Sequence, residues 1–314
     1  MPAFTTRFAP APTGYLHLGH VVNAIWVWGM ARAHDGRVLL RLEDHDRGRC
    51  RPEFEQAILD DLDWLGFMPD GATTRDFRAG RHPQRQSDNA ARYEARLAEL
   101  ERQGLAYPCT CSRAEISRAS SAATGATANA AATDASDTVD GTELRYPGTC
   151  RTHALDPAST LARRIRVNAG TLEHFNDRRL GPQAQDPDLQ CGDFLARDRH
   201  GNFTYQFSVV VDDLEQGIDL VIRGEDLLAS TGRQLRLARM LGRETPPQYL
   251  HHPLIRHPDG RKLSKSAGDA GVREFRAAGI TSAEVIGRAA ALAGLDYDGA
   301  PISAAQIAHL MQPR

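Results

Sequence analysis

The strongest constraint on the fold is an alternation of strand and helix signals that runs from Thr5 to Leu65. Thr5-Thr6-Arg7-Phe8-Ala9-Pro10 reads as a short strand. A loop rich in Pro and Gly follows, PAPTGYLHLGH, and then an apolar helical run from Val21 to about His34. The mostly apolar run RVLLRLED, residues 37–44, suits a buried parallel strand. Pro52 stands at a first helical position, ahead of Phe54, Ile58, Leu62 and Leu65 at helical spacing. Consecutive parallel strands need a helical crossover between them, so the expected fold class is α/β, doubly wound and Rossmann-like.

Further along, a helix is expected near 88–103, ahead of YPCTCSRAEI. Residues 119–142 then hold nine Ala, three Ser and five Thr with no apolar face, which reads as an exposed loop. From Leu161 the chain looks β-rich: ARRIRV, then GDFLARDRHGNFTYQFSVVVDD, in which Asp198-Arg199-His200-Gly201 is a hairpin turn. IDLVIRGEDLL gives a strand leading to a helix near 232–241, and YLHHPLIR gives another strand. Residues 271–314 read as two or three short helices. The expected division is 1–105 and 191–245 as the two halves of a catalytic domain. Residues 106–190 form an inserted subdomain, and 246–314 form a loop and terminal helical region. Of the 314 residues, 41% are apolar, enough for a real core in about two domains. No uncharged apolar run reaches the roughly 20 residues of a membrane-spanning helix, so a cytoplasmic location is expected. A net charge of −2 excludes a globally basic nucleic-acid binder but leaves a local basic face open.

Two short motifs carry chemistry. His17-Leu18-Gly19-His20 falls at a strand-to-helix junction, where unpaired N–H groups and the helix dipole favour phosphate and Gly19 allows close approach. The second is Lys262-Leu263-Ser264-Lys265-Ser266, after a Pro-Asp-Gly turn. Of 38 basic residues, Lys262 and Lys265 are the two lysines and the remaining 36 are arginine. Keeping lysine here points to a site that wants a compact ammonium, such as a loop closing over a triphosphate.

Five cysteines is an odd number, which argues against a disulfide framework and for metal or free thiols. Cys109, Cys111 and Cys150 offer three thiolates, and a structural zinc takes four ligands. By ligand chemistry His153 is the favoured fourth. Cys50 and Cys191 have no such company.

The paired HxGH and KLSKS motifs resemble the two signatures of class I aminoacyl-tRNA synthetases. RFAPAPTGYLHLGH, RLEDHD, TYQFSVVVDD and VIRGEDLL are similar to the glutamyl branch of that class. The resemblance implies ATP-dependent activation of L-glutamate as its adenylate, with Mg²⁺ accompanying the nucleotide. His17, Gly19, His20, Lys262, Ser264 and Lys265 would serve ATP, with the two histidines and two lysines as the catalytic groups. Arg7 and Arg223 would meet glutamate carboxylates, Glu43 its ammonium and Tyr205 a pocket hydrogen bond. Ala11 stands where many relatives carry serine, so the backbone around Ala9 would have to suffice. Tyr146, in Tyr-x-x-x-Cys, matches an unusual tyrosine ligand to zinc and rivals His153.

The Cys-x-Cys and Tyr-x-x-x-Cys pattern resembles a shortened, zinc-bearing subfamily. That likeness implies transfer of glutamate to the queuosine base at the wobble position of tRNA(Asp). With 49 residues after Lys265, no sizeable anticodon-binding domain is expected in this chain, and a monomer is expected. The alternatives are a truncated enzyme charging tRNA(Glu), a non-catalytic zinc-binding paralogue and a small-molecule ligase.

Overall fold

The computed structural model describes residues 3–124, 144–255 and 271–311. In chain order the elements begin with β1 (Thr5–Phe8), α1 (Leu18–Ala33), β2 (Arg37–Leu40), α2 (Pro52–Leu65), α3 (Thr74–Arg78) and α4 (Ala90–Arg102). The middle of the chain supplies β3 (Ala106–Pro108), α5 (Arg113–Thr124), β4 (Arg163–Ile165), β5 (Glu173–Asp177), β6 (Gly181–Gln185), α6 (Pro187–Gln190) and β7 (Leu195–Arg197). It is followed by α7 (Tyr205–Glu215), β8 (Leu220–Gly224), α8 (Thr231–Met240), β9 (Gln248–His252), α9 (Val272–Ala277) and α10 (Ser282–Leu292).

The α/β expectation holds. β1 and β2 pair in parallel through the α1 crossover, and β8 and β9 pair in parallel through α8. β9 continues to β5 and then to the antiparallel β6, giving the order β6-β5-β9-β8. β1 abuts β8: the Asp219 amide donates to the Thr5 carbonyl (2.8 Å), and the Thr5 amide donates to the Asp219 carboxylate (2.9 Å). From that junction the chain winds outward to β2 on one side and to β9 on the other. This is the topological switch point of a doubly wound sheet, where ligands meet the carboxyl ends of the strands.

α1 is apolar nearly all round because it is covered nearly all round, with Val21, Val22, Ile25, Val27 and Ala31 at most 1% exposed beneath β1, β8 and α10. A second core joins α4, α7 and α8 to the small antiparallel sheet β3-β4-β7.

The structure corrects two readings. TYQFSVVVDD is not a strand: Tyr205–Glu215 is helix α7. Phe207, Val210, Val211 and Leu214 recur at helical spacing, and packing against Tyr93 and Phe203 outweighs the strand preference of three consecutive valines. The stretch read as loop begins inside α5, which runs to Thr124 from a reciprocal cap between Ser112 and Glu115. The rest of that stretch, from 125, lies outside the described residues. The Asp198–Gly201 turn is present, closed by the Arg197–Phe203 bridge with Gly201 at φ +87°. Among the described residues no helix is long and apolar enough to cross a membrane.

Candidate active site

Arg7 lies in β1 and Glu43 just past β2, so both project at the switch point, where each is buried (4% and 7% exposed). They are joined through two residues that the sequence reading missed. Arg41, fully buried, donates through Nη2 to Glu43 Oε1 (3.0 Å) and through Nη1 to Asp213 Oδ1 (2.7 Å). Arg7 Nε donates to the same Asp213 oxygen at 3.0 Å. Burial alone would raise the Asp213 carboxyl, but the two guanidinium groups hold it below the usual carboxylate range. Glu43 is thus held in place by the Arg41 guanidinium. The missed signal is the arginine inside the otherwise apolar run RVLLRLED, since a buried charge requires a partner.

Arg223, in β8 and 4% exposed, has a different kind of surrounding. Its Nε donates to His251 Nε2 (3.0 Å), Nη1 to Gln234 Oε1 (2.7 Å) and Nη2 to Thr231 Oγ1 (2.9 Å). Among the described residues none of these partners is a carboxylate. Three of the five N–H donors are engaged, and two remain, the number that a carboxylate takes in a bidentate pair. His251 in turn lies 2.7 Å from Asp177 Oδ2 through Nδ1. Burial lowers the basicity of His251, and the Asp177 bond opposes this only in part. Tyr205 opens α7 between these groups: burial raises its hydroxyl pKa, and the charges of Arg223, Glu43, Arg7 and Asp213 all bear on it. Ala9 and Ala11 line the half-buried loop after β1, which the Pro10 carbonyl ties to the Glu43 amide (3.1 Å).

The HxGH motif forms the amino end of α1. His17 is the N-cap, its Nδ1 accepting from the Gly19 amide (3.0 Å), while His20 Nδ1 accepts from the His17 amide (3.2 Å). A ring nitrogen that accepts carries no hydrogen, so each imidazole bears its hydrogen on Nε2. The two rings thus carry their N–H groups at Nε2 beside the start of α1. Gly19 is required by this cap, because a Cβ there would lie 2.8 Å from the His17 ring. Lys262, Ser264 and Lys265 lie outside the described residues.

A separate cluster occupies the inserted region. The sulfurs of Cys109, Cys111 and Cys150 lie within 4.8 Å of one another, with Cys111 and Cys150 at 3.4 Å. The Tyr146 hydroxyl is 3.5 Å from Cys109 Sγ and 3.6 Å from Cys111 Sγ, and it accepts the Cys150 amide at 2.9 Å. Burial works to raise the Cys150 thiol, yet hydrogen bonds from the Thr110 segment and Tyr146 hold it down to about 6. His153 is exposed; its backbone amide meets the Cys150 carbonyl. Three sulfurs and one phenol oxygen converging in this way form a donor set suited to a thiophilic ion such as zinc.

This sheet, its switch point and the HxGH motif at the start of α1 match the class of enzyme expected from the sequence. Residues 3–295 match the family described as tRNA synthetases class I (E and Q), catalytic domain, and the chain belongs to that family. Proteins named Glutamyl-Q tRNA(Asp) synthetase are similar to it. That of Geobacter sulfurreducens is 43% identical over 264 residues, covering 84% of this chain and 76% of the relative. That of Leptothrix cholodnii is 40% identical over 304 residues, covering 95% and 92%. The solved structure of glutamate-tRNA synthetase from Elizabethkingia anophelis superposes with a TM-score of 0.77 at 25% identity. The match covers 97% of this chain and 65% of that one, so this chain spans about two thirds of the larger structure. Methionyl-tRNA synthetase from Mycobacterium tuberculosis, at 13% identity and a TM-score of 0.50, shares the fold.

Proposed function

We propose that this chain activates L-glutamate with ATP and transfers the glutamyl group to queuosine in the anticodon of tRNA(Asp), the reaction that the names of its relatives describe. The observation that carries the reading is Arg223, a buried guanidinium held by uncharged side chains with two donors left over. Together with Glu43, held by Arg41, it suits an amino acid that brings an extra carboxylate and an ammonium.

In this reading Glu43 receives the α-ammonium, Arg223 and Arg7 receive carboxylate oxygens, and Tyr205 borders the substrate. The Nε2–H groups of His17 and His20, with the start of α1, hold the phosphates of ATP, which this family uses with Mg²⁺. As the glutamate carboxylate attacks the α-phosphorus, charge grows on the pyrophosphate leaving group. Fixed donors at that position stabilise it without reorganising. Lys262, Ser264 and Lys265 are assigned to the loop that closes on the same phosphates. Zinc is assigned to Cys109, Cys111, Cys150 and Tyr146, the phenol being favoured over His153 by its contacts with two sulfurs. When bound, the ion would cross-link the chain segments around Cys109–Cys111 and Tyr146–Cys150 and take no part in the transfer.

The test is transfer of labelled glutamate, with ATP, to tRNA(Asp) containing queuosine, to the same tRNA lacking it and to tRNA(Glu). Label confined to the queuosine-containing tRNA is expected. Label on tRNA(Glu) would instead establish a charging enzyme, and none on any RNA would overturn the transfer reading.

A further inference from the structure

The described part of the structure contains a buried relay that the mechanism above does not use. It starts at the β5–β6 turn, where Asp177 Oδ1 accepts the amides of Arg179 (3.0 Å) and Leu180 (2.9 Å). The other oxygen accepts both the His251 amide (3.0 Å) and its ring Nδ1 (2.7 Å). With its one hydrogen held on Nδ1, the His251 ring presents a lone pair at Nε2, and this receives Arg223 Nε at 3.0 Å. Asp177 and His251 are at most 1% exposed, so no water competes for these bonds. Three strands contribute one residue each: β5, β9 and β8.

The chemistry of the middle residue matters. A carboxylate placed directly against Arg223 would orient the guanidinium but would also neutralise it and compete with an incoming carboxylate. An imidazole that accepts one hydrogen bond fixes the same plane while leaving the charge for the ligand. The remaining partners work in the same way: Gln234 takes Nη1, its own amide held by Gln206 (2.8 Å), and Thr231 takes Nη2.

We propose that His251, its tautomer set by Asp177, is a positioning residue that holds the Arg223 guanidinium aimed at a substrate carboxylate. This rests on the reading of Arg223 as a glutamate contact. Two substitutions separate positioning from packing. In His251→Asn the shorter amide can still donate to Asp177 at the place of Nδ1 but cannot reach Arg223. In His251→Gln the longer amide places an acceptor where Nε2 was.

Binding of glutamate and of ATP to the full chain would be measured by calorimetry, with Arg223→Ala alongside. Loss of one hydrogen bond to a charged group predicts glutamate binding weakened about tenfold or more in His251→Asn. In His251→Gln it should return to within about threefold of the parent, and ATP binding should be unchanged in both. Equal glutamate affinity in parent and His251→Asn would overturn the proposal. So would equal impairment by Asn and Gln, which would reduce His251 to packing. Should Arg223→Ala itself bind glutamate normally, the pocket assignment fails instead, and the two failures are distinct.

Discussion

Arg7 and Arg41 share one carboxylate, Asp213, and Arg41 also restrains Glu43, so this group of four charges stands or falls together. Removing one member of a buried ionic group leaves the others uncompensated, which costs about 3–5 kcal/mol. Arg41→Met should therefore lower unfolding stability by about that much in urea titration. The double variant Arg41→Met, Glu43→Gln should recover part of the loss, because one stranded anion is gone. A cost below about 1 kcal/mol for the single change would contradict the buried geometry. These residues also mark the boundary of what the sequence discloses. Arg7, Glu43, Tyr205 and Arg223 were singled out through resemblance, and the structure brings them together. Asp213, His251 and Asp177 were not, because what makes them matter is a partner 206 residues away in one case and 74 in another. No local pattern encodes such a pairing.

At the level of single elements, helix α2 carries Asp61 on its buried side, 3% exposed, with no hydrogen-bond partner for Oδ2 among the described residues. Burial raises its carboxyl to about 7, with Arg276 opposing and Asp60 adding to the rise. The native state then holds a proton on this group that the unfolded chain gives up near 3.8, so its effect on stability is unfavourable as pH rises from about 4 to 7 and constant above. Asp61→Asn should raise the melting temperature at pH 8 by about 2–6 °C and change it little near pH 4, as followed by circular dichroism. A gain of equal size at both pH values would show that protonation is not the cause. The elements themselves were unevenly legible. β1, α1, β2 and α2 stood out because buried parallel strands are continuous apolar runs and their helices are capped or proline-led. Helix α7 did not, since Val209, Val210 and Val211 satisfy a strand pattern as well as a helical one and only the second core decides between them. The thiolate cluster was legible as a set of three, while the sequence left Tyr146 and His153 both open; the Tyr146 hydroxyl lies near two of the sulfurs and His153 is exposed. Metal analysis should find about one zinc per chain, and Tyr146→Phe should weaken zinc retention against a chelator while leaving the ring in place. Full retention would remove the phenol from the ligand set.

At the scale of the whole molecule, the proposed transfer to tRNA requires a chain with net charge −2 to meet RNA through local groups of its 36 arginines. Phosphate contacts of that kind release counterions, whereas a buried amino-acid pocket does not. Transfer of glutamate to RNA should therefore fall at least tenfold between 50 and 200 mM salt while glutamate binding stays within about twofold. Parallel loss of both would mean that salt acts on the fold. The abutment of β1 on β8 has one more consequence, for the time course of folding. Thr5 finds its partner at Asp219, and Arg7 waits for a carboxylate 206 residues downstream. While the chain is being synthesised, β1 and β2 can pair early, but the junction between them and β8 has no second wall until the residues around Asp219 have emerged. A nascent chain therefore carries an exposed strand edge while some two hundred further residues are added, and the group of Arg7, Arg41, Glu43 and Asp213 cannot assemble before then.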